Sequence, residues 1–346
     1  MKRRQCLTWG WGLLGIGLSN TMLAQAWAAD RAASAGELVW RERALLGFGT
    51  TLWIKAAHDN TDLLESALNA AIKAIRQVER QMSLFDTDSA LSVLNRSGKL
   101  NRVEHDLGAV LNLSQQIARK SNGSFDASMQ PLWDVWANAN AAHQLPSPRE
   151  VQRAQRLVNW RALEVAPTSV RLNTPGMALS LNGVAQGYAA DRARAALRQH
   201  GIRHALIDTG ETSLLGQAPN AVEWRLRIED AVNNPGKPEQ VRTANGPVVQ
   251  TDGRALATSS DAHTVFSADR RHHHIVDPRT GYSPTHWSSV TVLAPSCAYA
   301  DALTKVFFML PPSRIESECR RWGVDVVLQD KAGNWRSSAG VTLRSA

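Results

Sequence analysis

Two neighbouring stretches of the sequence are the most distinctive: HIVDPRTG at residues 274–281 and APSCAYADALT at residues 294–304. The DPRTG part has the composition of a tight turn. His274 stands just before this turn, where it can serve as a general acid or base or as a structural histidine. Asp301 lies inside an apolar helix predicted over residues 300–310. Because a carboxylate on a buried face is costly unless it is paired or binds a metal, Asp301 is a candidate metal ligand, with capping of the helix start as the alternative.

The three consecutive histidines at residues 272–274 suggest a metal-binding tract at first sight. Neighbouring residues on an extended strand point to opposite faces. All three rings therefore cannot bind one ion, and we expect no metal site made of them alone.

A third motif, SLNGVAQGYAAD at residues 180–191, predicts a strand that enters a glycine-containing turn and then a helix. The free N–H groups at a helix start suit a phosphate, through hydrogen bonds and the partial positive charge of the helix dipole. The motif is neither GxGxxG nor a P-loop. Nucleotide binding is therefore one of its possible roles and does not follow from it alone.

Two shorter motifs carry aromatic residues at predicted loops: MSLFDTDS at residues 82–89 and NGSFDA at residues 122–127. The Asp and Ser groups of the first are suited to capping the next short helix. Phe85 can stack on a ring-shaped ligand, and the small residues around Phe125 let the backbone approach a ligand closely. By itself the second motif is an ordinary loop.

The remaining pattern predicts helices and strands that intermix without a regular βαβ order, so we expect an α+β protein with mixed or antiparallel sheets and flanking helices. An apolar stripe with spacings of 4 and 3 predicts the clearest helix, over residues 61–85. Further helices are predicted over residues 104–120, 184–200, 300–310 and 313–322. Strands are predicted over residues 50–54, 162–166, 170–172, 177–181, 204–208, 222–229 and 289–293, with a closing hairpin over 324–328 and 335–343 and an exposed loop over 233–247.

The N-terminal 28 residues have the pattern of an export signal. Lys2, Arg3 and Arg4 precede a short apolar run that ends at a small-x-small site, and the run is too short to span a membrane. Arg3-Arg4 fits both a twin-arginine signal and the ordinary export route. We therefore expect a signal peptide over residues 1–28, a linker over 29–44, one domain over 45–346 and a periplasmic protein that is not integral to the membrane.

The charge and cysteine content narrow the function classes. The net charge of +8 comes without a basic run rimmed by aromatic residues, which argues against nucleic-acid binding. Cys297 and Cys319 remain after cleavage; they can pair in an oxidising compartment, but two unbridged thiols are the preferred interpretation.

Taken in order, these motifs resemble the FAD:protein FMN transferase (ApbE) family over about residues 45–312. The resemblance implies an ApbE-like fold and an enzyme that binds FAD in an extended groove, with Mg²⁺ at the diphosphate. It further implies transfer of FMN to a Thr or Ser of an acceptor flavoprotein, with release of AMP. The implied acceptor is a subunit of a membrane redox complex. The set Leu181-Asn182-Gly183, Gln186-Gly187 and Gly210-Glu211 is similar to the subgroup that serves nitrous oxide reduction, and Gly210-Glu211 stands where the family has Gly-Gly.

The resemblance also assigns roles to individual residues. It makes Asp301 and the Gly183 carbonyl ligands of Mg²⁺, with Lys305 at the position of a third ligand, and it makes His274 the group that helps to deprotonate the acceptor hydroxyl. The positions that it assigns to FAD are Phe48, Phe85, Ser124, Phe125, Asp126, Ser180, Gln186 and Thr258.

Several of these positions depart from the family pattern. Ser180 replaces an Asp, Gln186 replaces a Lys, and Phe48 replaces a Met. Lys305 replaces the Thr ligand, while Thr304 stands one residue early, about 100° round a helix. A protonated lysine cannot ligate Mg²⁺. Lys305 can point away from the site, its ammonium can take over part of the work of the metal, or the chain can bind flavin without transferring it. A non-catalytic flavin-binding protein and a Mg²⁺-dependent FAD diphosphatase are therefore the alternative functions.

Overall fold

The structure is a computed structural model that describes residues 37–232, 246–262 and 264–344. The predicted signal peptide over residues 1–28 and most of the predicted loop over 233–247 lie outside these ranges. Elements are numbered in chain order.

An antiparallel sheet of eight strands forms the centre of the domain. Its strands lie side by side in their chain order: β1 Val39–Gly47, β2 Thr50–His58, β6 His204–Asp208, β7 Thr212–Leu215, β10 Ala255–Ser260, β11 Trp287–Ala294, β12 Asp325–Asp330 and β13 Trp335–Ser337. Two three-stranded antiparallel sheets flank it. One contains β3 Lys99–Leu100, β5 Val170–Leu172 and β4 Leu163–Val165, and the other contains β14 Leu343–Arg344, β9 Val248–Gln250 and β8 Arg225–Arg227.

The α-helices in the described ranges are α1 Thr61–Met82, α2 Ala90–Ser97, α3 His105–Lys120, α4 Gln130–Ala141, α5 Pro148–Gln155, α6 Ala185–Gln199, α7 Cys297–Phe308 and α8 Ile315–Trp322. Helices α1, α6 and α7 pack against the large sheet. The predicted apolar stripe of α1 is buried, from Leu64 to Met82. Helix α1 packs on α6, α6 packs on α7, and α7 lies against β10 and β11. Strand β11 is buried along its whole length because Val290 faces the main core and Leu293 faces a second core under β8 and β9. These features confirm the α+β class.

Two predictions about the first half of the chain are wrong. Residues 39–44 belong to strand β1, which pairs with β2 along its length, and so they are not part of a linker. Residues 177–181 form no regular strand, because other groups satisfy their backbone. The Asn95 side chain accepts from Leu179 N at 2.7 Å and donates to Leu179 O at 2.9 Å, and Ser180 N donates to Ala127 O at 2.7 Å.

The predicted extents of the later elements need smaller corrections. The strand predicted over residues 222–229 is limited to β8, and the second half of the closing hairpin is limited to β13, since β14 pairs with β9 in another sheet. Helix α7 begins at Cys297, three residues before the predicted start. Cys297 and Cys319 are both buried and unbridged, as preferred from the sequence.

Gly187 marks the closest contact between α6 and α7, and we expect Gly187→Ala to lower the free energy of unfolding by about 3 kcal/mol. A Cβ atom at this position would lie 2.4 Å from the carbonyl oxygen of Cys297, so the two helices would have to move apart. Chemical denaturation of both proteins measures the difference.

Gly108→Ala in α3 is the matched control. Its Cβ would meet Val103 Cγ1 at an ordinary 3.6 Å, so the better helix propensity of alanine should raise stability by about 0.5–1 kcal/mol. Equal stability changes at the two positions would contradict the steric explanation.

Candidate active site

An ion pair between Asp301 and Lys305 connects the middle of α7 to its last turn. Lys305 Nζ is 2.5 Å from Asp301 Oδ1 and 3.3 Å from the Asp301 carbonyl oxygen. The Asp301 side chain is fully buried, whereas 24% of the Lys305 side chain is exposed. Lys305 therefore points at the predicted metal ligand, and the possibility that it points away is wrong.

Asp301 also lies at the N-terminus of α6. Its Oδ2 accepts from the backbone N–H of Gly187 at 3.3 Å, in the first turn of a helix whose N-cap residue, Val184, makes no side-chain cap. A carboxylate at this end of a helix is stabilised by the helix dipole. Ser296 caps α7 itself, so Asp301 is not the cap of its own helix.

Asp191 on α6 accepts hydrogen bonds from the N-terminus of α7, just as Asp301 on α7 does from α6. Its two carboxylate oxygens accept from the backbone N–H groups of Cys297 and Ala298, both at 2.9 Å. Each of the two helices thus supplies a carboxylate to the start of the other. This exchange fixes the position of Asp301 relative to the turn before α6.

Gly183, in that turn, is beside Lys305. A Cβ atom at Gly183 would lie 3.1 Å from Lys305 Cε and 3.6 Å from Phe125 Cε2. The structure therefore brings together four residues that the sequence assigned to the site: Phe125, Gly183, Asp301 and Lys305.

Glu211 is a member of this cluster that the candidate residues from the sequence did not include. It is buried, and its Oε2 accepts from the backbone N–H of Thr258 at 2.9 Å. Burial and the nearby Asp301 carboxylate raise the pKa of Glu211, while the Lys305 ammonium opposes that rise. The available signal was a charged residue at the place where the family has a second glycine.

Gln186 fastens the start of α6 to the turn between β6 and β7. Its Nε2 donates to Thr209 O at 2.9 Å, and Thr209 Oγ1 donates to Gln186 O at 2.8 Å. Gly210 leaves room for this amide, since a Cβ atom there would lie 2.6 Å from Gln186 Nε2. The residue that replaces the family's lysine thus joins two backbone segments.

Ser124, Phe125 and Asp126 are all buried in the loop that follows α3. Asp126 accepts from Ser128 N and Oγ at 2.8 and 2.7 Å and from Trp160 N at 3.0 Å, and burial raises its pKa. Asp126 therefore holds the loop in shape. The loop contacts the turn before α6 through the Ser180 N–H, which donates to Ala127 O.

Phe48, at the tip of the β1–β2 hairpin, and Phe85, in the loop after α1, form a separate group. Phe48 has a positive φ of 51°, and its N–H donates to Glu79 Oε1 at 2.8 Å. Phe85 is 77% exposed, and its ring lies 3.6 Å from the position of a Cβ atom on Gly49. An exposed ring held beside a glycine is suited to stacking on a planar ligand.

His274 lies before the predicted turn, which the structure confirms through a hydrogen bond from Gly281 N to Asp277 O at 2.8 Å. The His274 Nδ1 atom is 3.2 Å from the Thr264 carbonyl oxygen. Since a carbonyl can only accept, Nδ1 carries the proton, and Nε2 is the basic nitrogen of the neutral ring.

The three adjacent histidines do diverge, as predicted. The His272 ring stacks on Trp136, while His273 is fully buried with Nε2 at 3.3 Å from Pro284 O. Across residues 37–232, 246–262 and 264–344, no group of three or more His, Cys, Asp or Glu residues is placed to hold a metal ion.

The side chains at Asp301 do not fit the predicted Mg²⁺ site, although Asp301 and Gly183 both lie beside Lys305. The Lys305 ammonium occupies Asp301 Oδ1. At an effective dielectric constant of about 20, unit charges about 4 Å apart interact by about 4 kcal/mol, so a divalent ion there would meet about 8 kcal/mol of repulsion. Thr304 cannot replace the missing ligand, because its buried Oγ1 bonds Ser259 Oγ and the Asp301 carbonyl oxygen.

In the ranges that the structure describes, we find no helix that combines the length and the apolar character needed to cross a membrane.

Comparison with known proteins identifies relatives along most of the chain. The model of the ApbE family matches residues 48–328. The FAD:protein FMN transferase of Escherichia coli (strain K12) is 27% identical over 267 residues, which cover 74% of each chain. The FAD:protein FMN transferase of Treponema pallidum (strain Nichols) is 28% identical over 303 residues, which cover 81% of this chain and 82% of that one.

Solved structures share the fold. The ApbE protein of Thermotoga maritima has a TM-score of 0.76 at 21% identity and covers 87% of this chain and 97% of its own. The apo form of the flavinyl transferase ApbE of Pseudomonas stutzeri has a TM-score of 0.71 at 22% identity, with coverages of 89% and 95%.

Proposed function

Because the chain belongs to the ApbE family, we propose that it is an FAD:protein FMN transferase that modifies an acceptor flavoprotein. A Thr or Ser hydroxyl oxygen of the acceptor forms a bond to the phosphorus of the FMN half of FAD. The phosphoanhydride P–O bond breaks, and AMP leaves with its electron pair. The observation that carries the proposal is the Asp301–Lys305 pair beside Gly183, at the start of α6, where the resemblance places the diphosphate.

Phosphoryl transfer needs little from a protein beyond positioning and charge neutralisation. The start of α6 offers helix-dipole charge, and Lys305 offers a full positive charge. The basic Nε2 of His274 is the group suited to accept the hydroxyl proton as the oxygen attacks. No step runs through Mg²⁺, since the Lys305 ammonium stands at the carboxylate that would bind it.

We further propose that the protein works in the periplasm, on a flavoprotein subunit of a membrane redox complex. The export-signal pattern over residues 1–28 supports the location, and Leu181-Asn182-Gly183 with Gly210-Glu211 favours an acceptor that serves nitrous oxide reduction. A flavin carrier without transfer activity is the second candidate function. The neutral Ser180 and Gln186 favour it, because two charged FAD contacts are missing, and the Gln186 amide donates to Thr209 O instead.

A single incubation separates these functions from the FAD diphosphatase alternative. The mature protein is mixed with FAD and an acceptor domain, and the mixture is examined on a denaturing gel for flavin fluorescence. We expect a fluorescent acceptor band and the release of one AMP for each FMN attached to the acceptor. Free FMN and AMP without a band would indicate hydrolysis, and intact bound FAD would indicate a carrier.

Phe85→Ala is expected to weaken FAD binding by about 2- to 10-fold, because one aromatic contact contributes about 0.5–1.5 kcal/mol. Stability should not change, since the ring is 77% exposed. Quenching of flavin fluorescence measures the affinity. Leu46→Ala, at a 74% exposed residue of the neighbouring β1–β2 hairpin, is the control and should bind FAD normally. Unchanged affinity in Phe85→Ala would remove Phe85 from the flavin site.

A further inference from the structure

Two buried carboxylates and one lysine meet at the start of α6. Asp301 is 0% exposed and Glu211 is 7% exposed, and the pKa of Glu211 responds both to Asp301 and to Lys305. Buried carboxylates are costly without a compensating charge. Lys305 supplies that charge from within the chain.

The Lys305 ammonium has an N–H donor left with which it can bind a ligand. Of its three N–H donors, the contacts described for the chain assign two to Asp301, one to Oδ1 and one to the carbonyl oxygen. About a quarter of the side chain remains exposed. The third donor can therefore reach a phosphate oxygen without breaking the pair with Asp301.

The surroundings hold the ammonium in one place. Asp301 is anchored by the Gly187 N–H, and the aliphatic part of Lys305 lies against Gly183. A lysine whose position is fixed in this way loses less rotamer freedom when it binds an anion than a lysine on an open surface. Lys305 lies beside the N-terminus of α6, and the free N–H groups at a helix start suit a phosphate.

We propose that the Lys305 ammonium takes the place of a divalent metal ion at the FAD diphosphate, so that FAD binding by this chain does not need Mg²⁺. The inference rests on the proposed function, and it leaves unchanged which bonds form and break in the transfer. Lys305 donates a hydrogen bond and one positive charge to the diphosphate. Asp301 acts as a positioning residue that orients Lys305.

The decisive experiment uses the mature parent protein. FAD affinity is measured by flavin fluorescence with Mg²⁺ and with EDTA, and binding of Mn²⁺ alone is followed by electron paramagnetic resonance. We expect the two FAD affinities to agree within about twofold, and we expect no Mn²⁺ site that depends on Asp301. FAD affinity that falls about tenfold or more in EDTA, or Mn²⁺ binding that is lost in Asp301→Asn, would overturn the inference.

Variants at Lys305 test the same inference by changing the lysine instead of the metal supply. Lys305→Thr should gain Mn²⁺ binding and Mg²⁺-dependent FAD affinity, since it restores the oxygen that the family pattern has there. Lys305→Met should weaken FAD binding by about 10- to 100-fold without rescue by Mg²⁺, because a charge-assisted hydrogen bond is lost. Lys305→Arg should retain metal-independent binding. Lys73→Met, on the exposed side of α1, removes the same charge elsewhere and should bind FAD like the parent.

The measurements separate failure of this inference from failure of the proposed function. FAD binding that resists EDTA, without a covalent acceptor product, supports the inference while the transferase function fails. Transfer that EDTA abolishes overturns the inference alone. A folded parent that binds no FAD in either condition overturns both.

Discussion

Asp301→Ala is expected to lower the rate of flavin transfer by about 100-fold or more and to destabilise the fold. Asp301 positions the Lys305 ammonium and accepts from the first turn of α6, so its loss misplaces the two groups that we propose for binding the diphosphate. Loss of one preorganised electrostatic contact typically costs about 10²–10³ in rate. Breaking a buried ion pair by removing one partner costs about 3–5 kcal/mol, and the partial exposure of Lys305 places this case at the lower end.

Transfer should be measured at a temperature where the variant is folded, with the unfolding curve recorded in parallel. Glu318→Ala is the matched control, because Glu318 is also a buried carboxylate, held by Arg314 just before α8 and by Arg321 on α8. It should lose stability but keep the transfer rate per folded molecule. Parent-like transfer by folded Asp301→Ala would remove the ion pair from the mechanism.

Much of the fold could be predicted because it follows from local pattern. The period of the apolar residues in α1, the strand over residues 204–208 and the turn at residues 277–281 each depend on a few neighbouring residues, and the structure agrees with all three. The prediction of a strand over residues 177–181 is wrong because the conformation there depends on distant residues. The hydrogen-bond partners of this backbone, Asn95 and Ala127, are distant in sequence, and no local pattern predicts them.

The candidate site likewise combines features that follow from local sequence with features that depend on tertiary contacts. The spacing of four residues allowed Lys305 to meet Asp301 on one face of α7, but the pairing also depends on the burial of Asp301 under α6. The participation of Glu211 was harder to predict from the sequence. It requires the β6–β7 turn to lie over α7 and next to Thr258 on β10. The sequence therefore pointed to residues of the proposed site, whereas tertiary contacts decide what charge each one meets.

His274→Gln is expected to lower the rate of transfer by about 10²–10⁴-fold while FAD affinity stays within about twofold of the parent, because general-base catalysis contributes in this range. The ring is oriented by its contact with the Thr264 carbonyl, and glutamine can keep a donor at that contact without supplying a basic nitrogen.

The shape of the pH profile distinguishes a base from a structural residue. In the parent, transfer should rise with pH as the accepting nitrogen loses its proton, and in the variant that rise should disappear. His105→Gln, at the exposed start of α3, is the control and should keep both the rate and the profile. A uniform loss of rate with the pH dependence intact would instead make His274 a positioning residue, since only a group that takes the hydroxyl proton links its own protonation to the speed of attack.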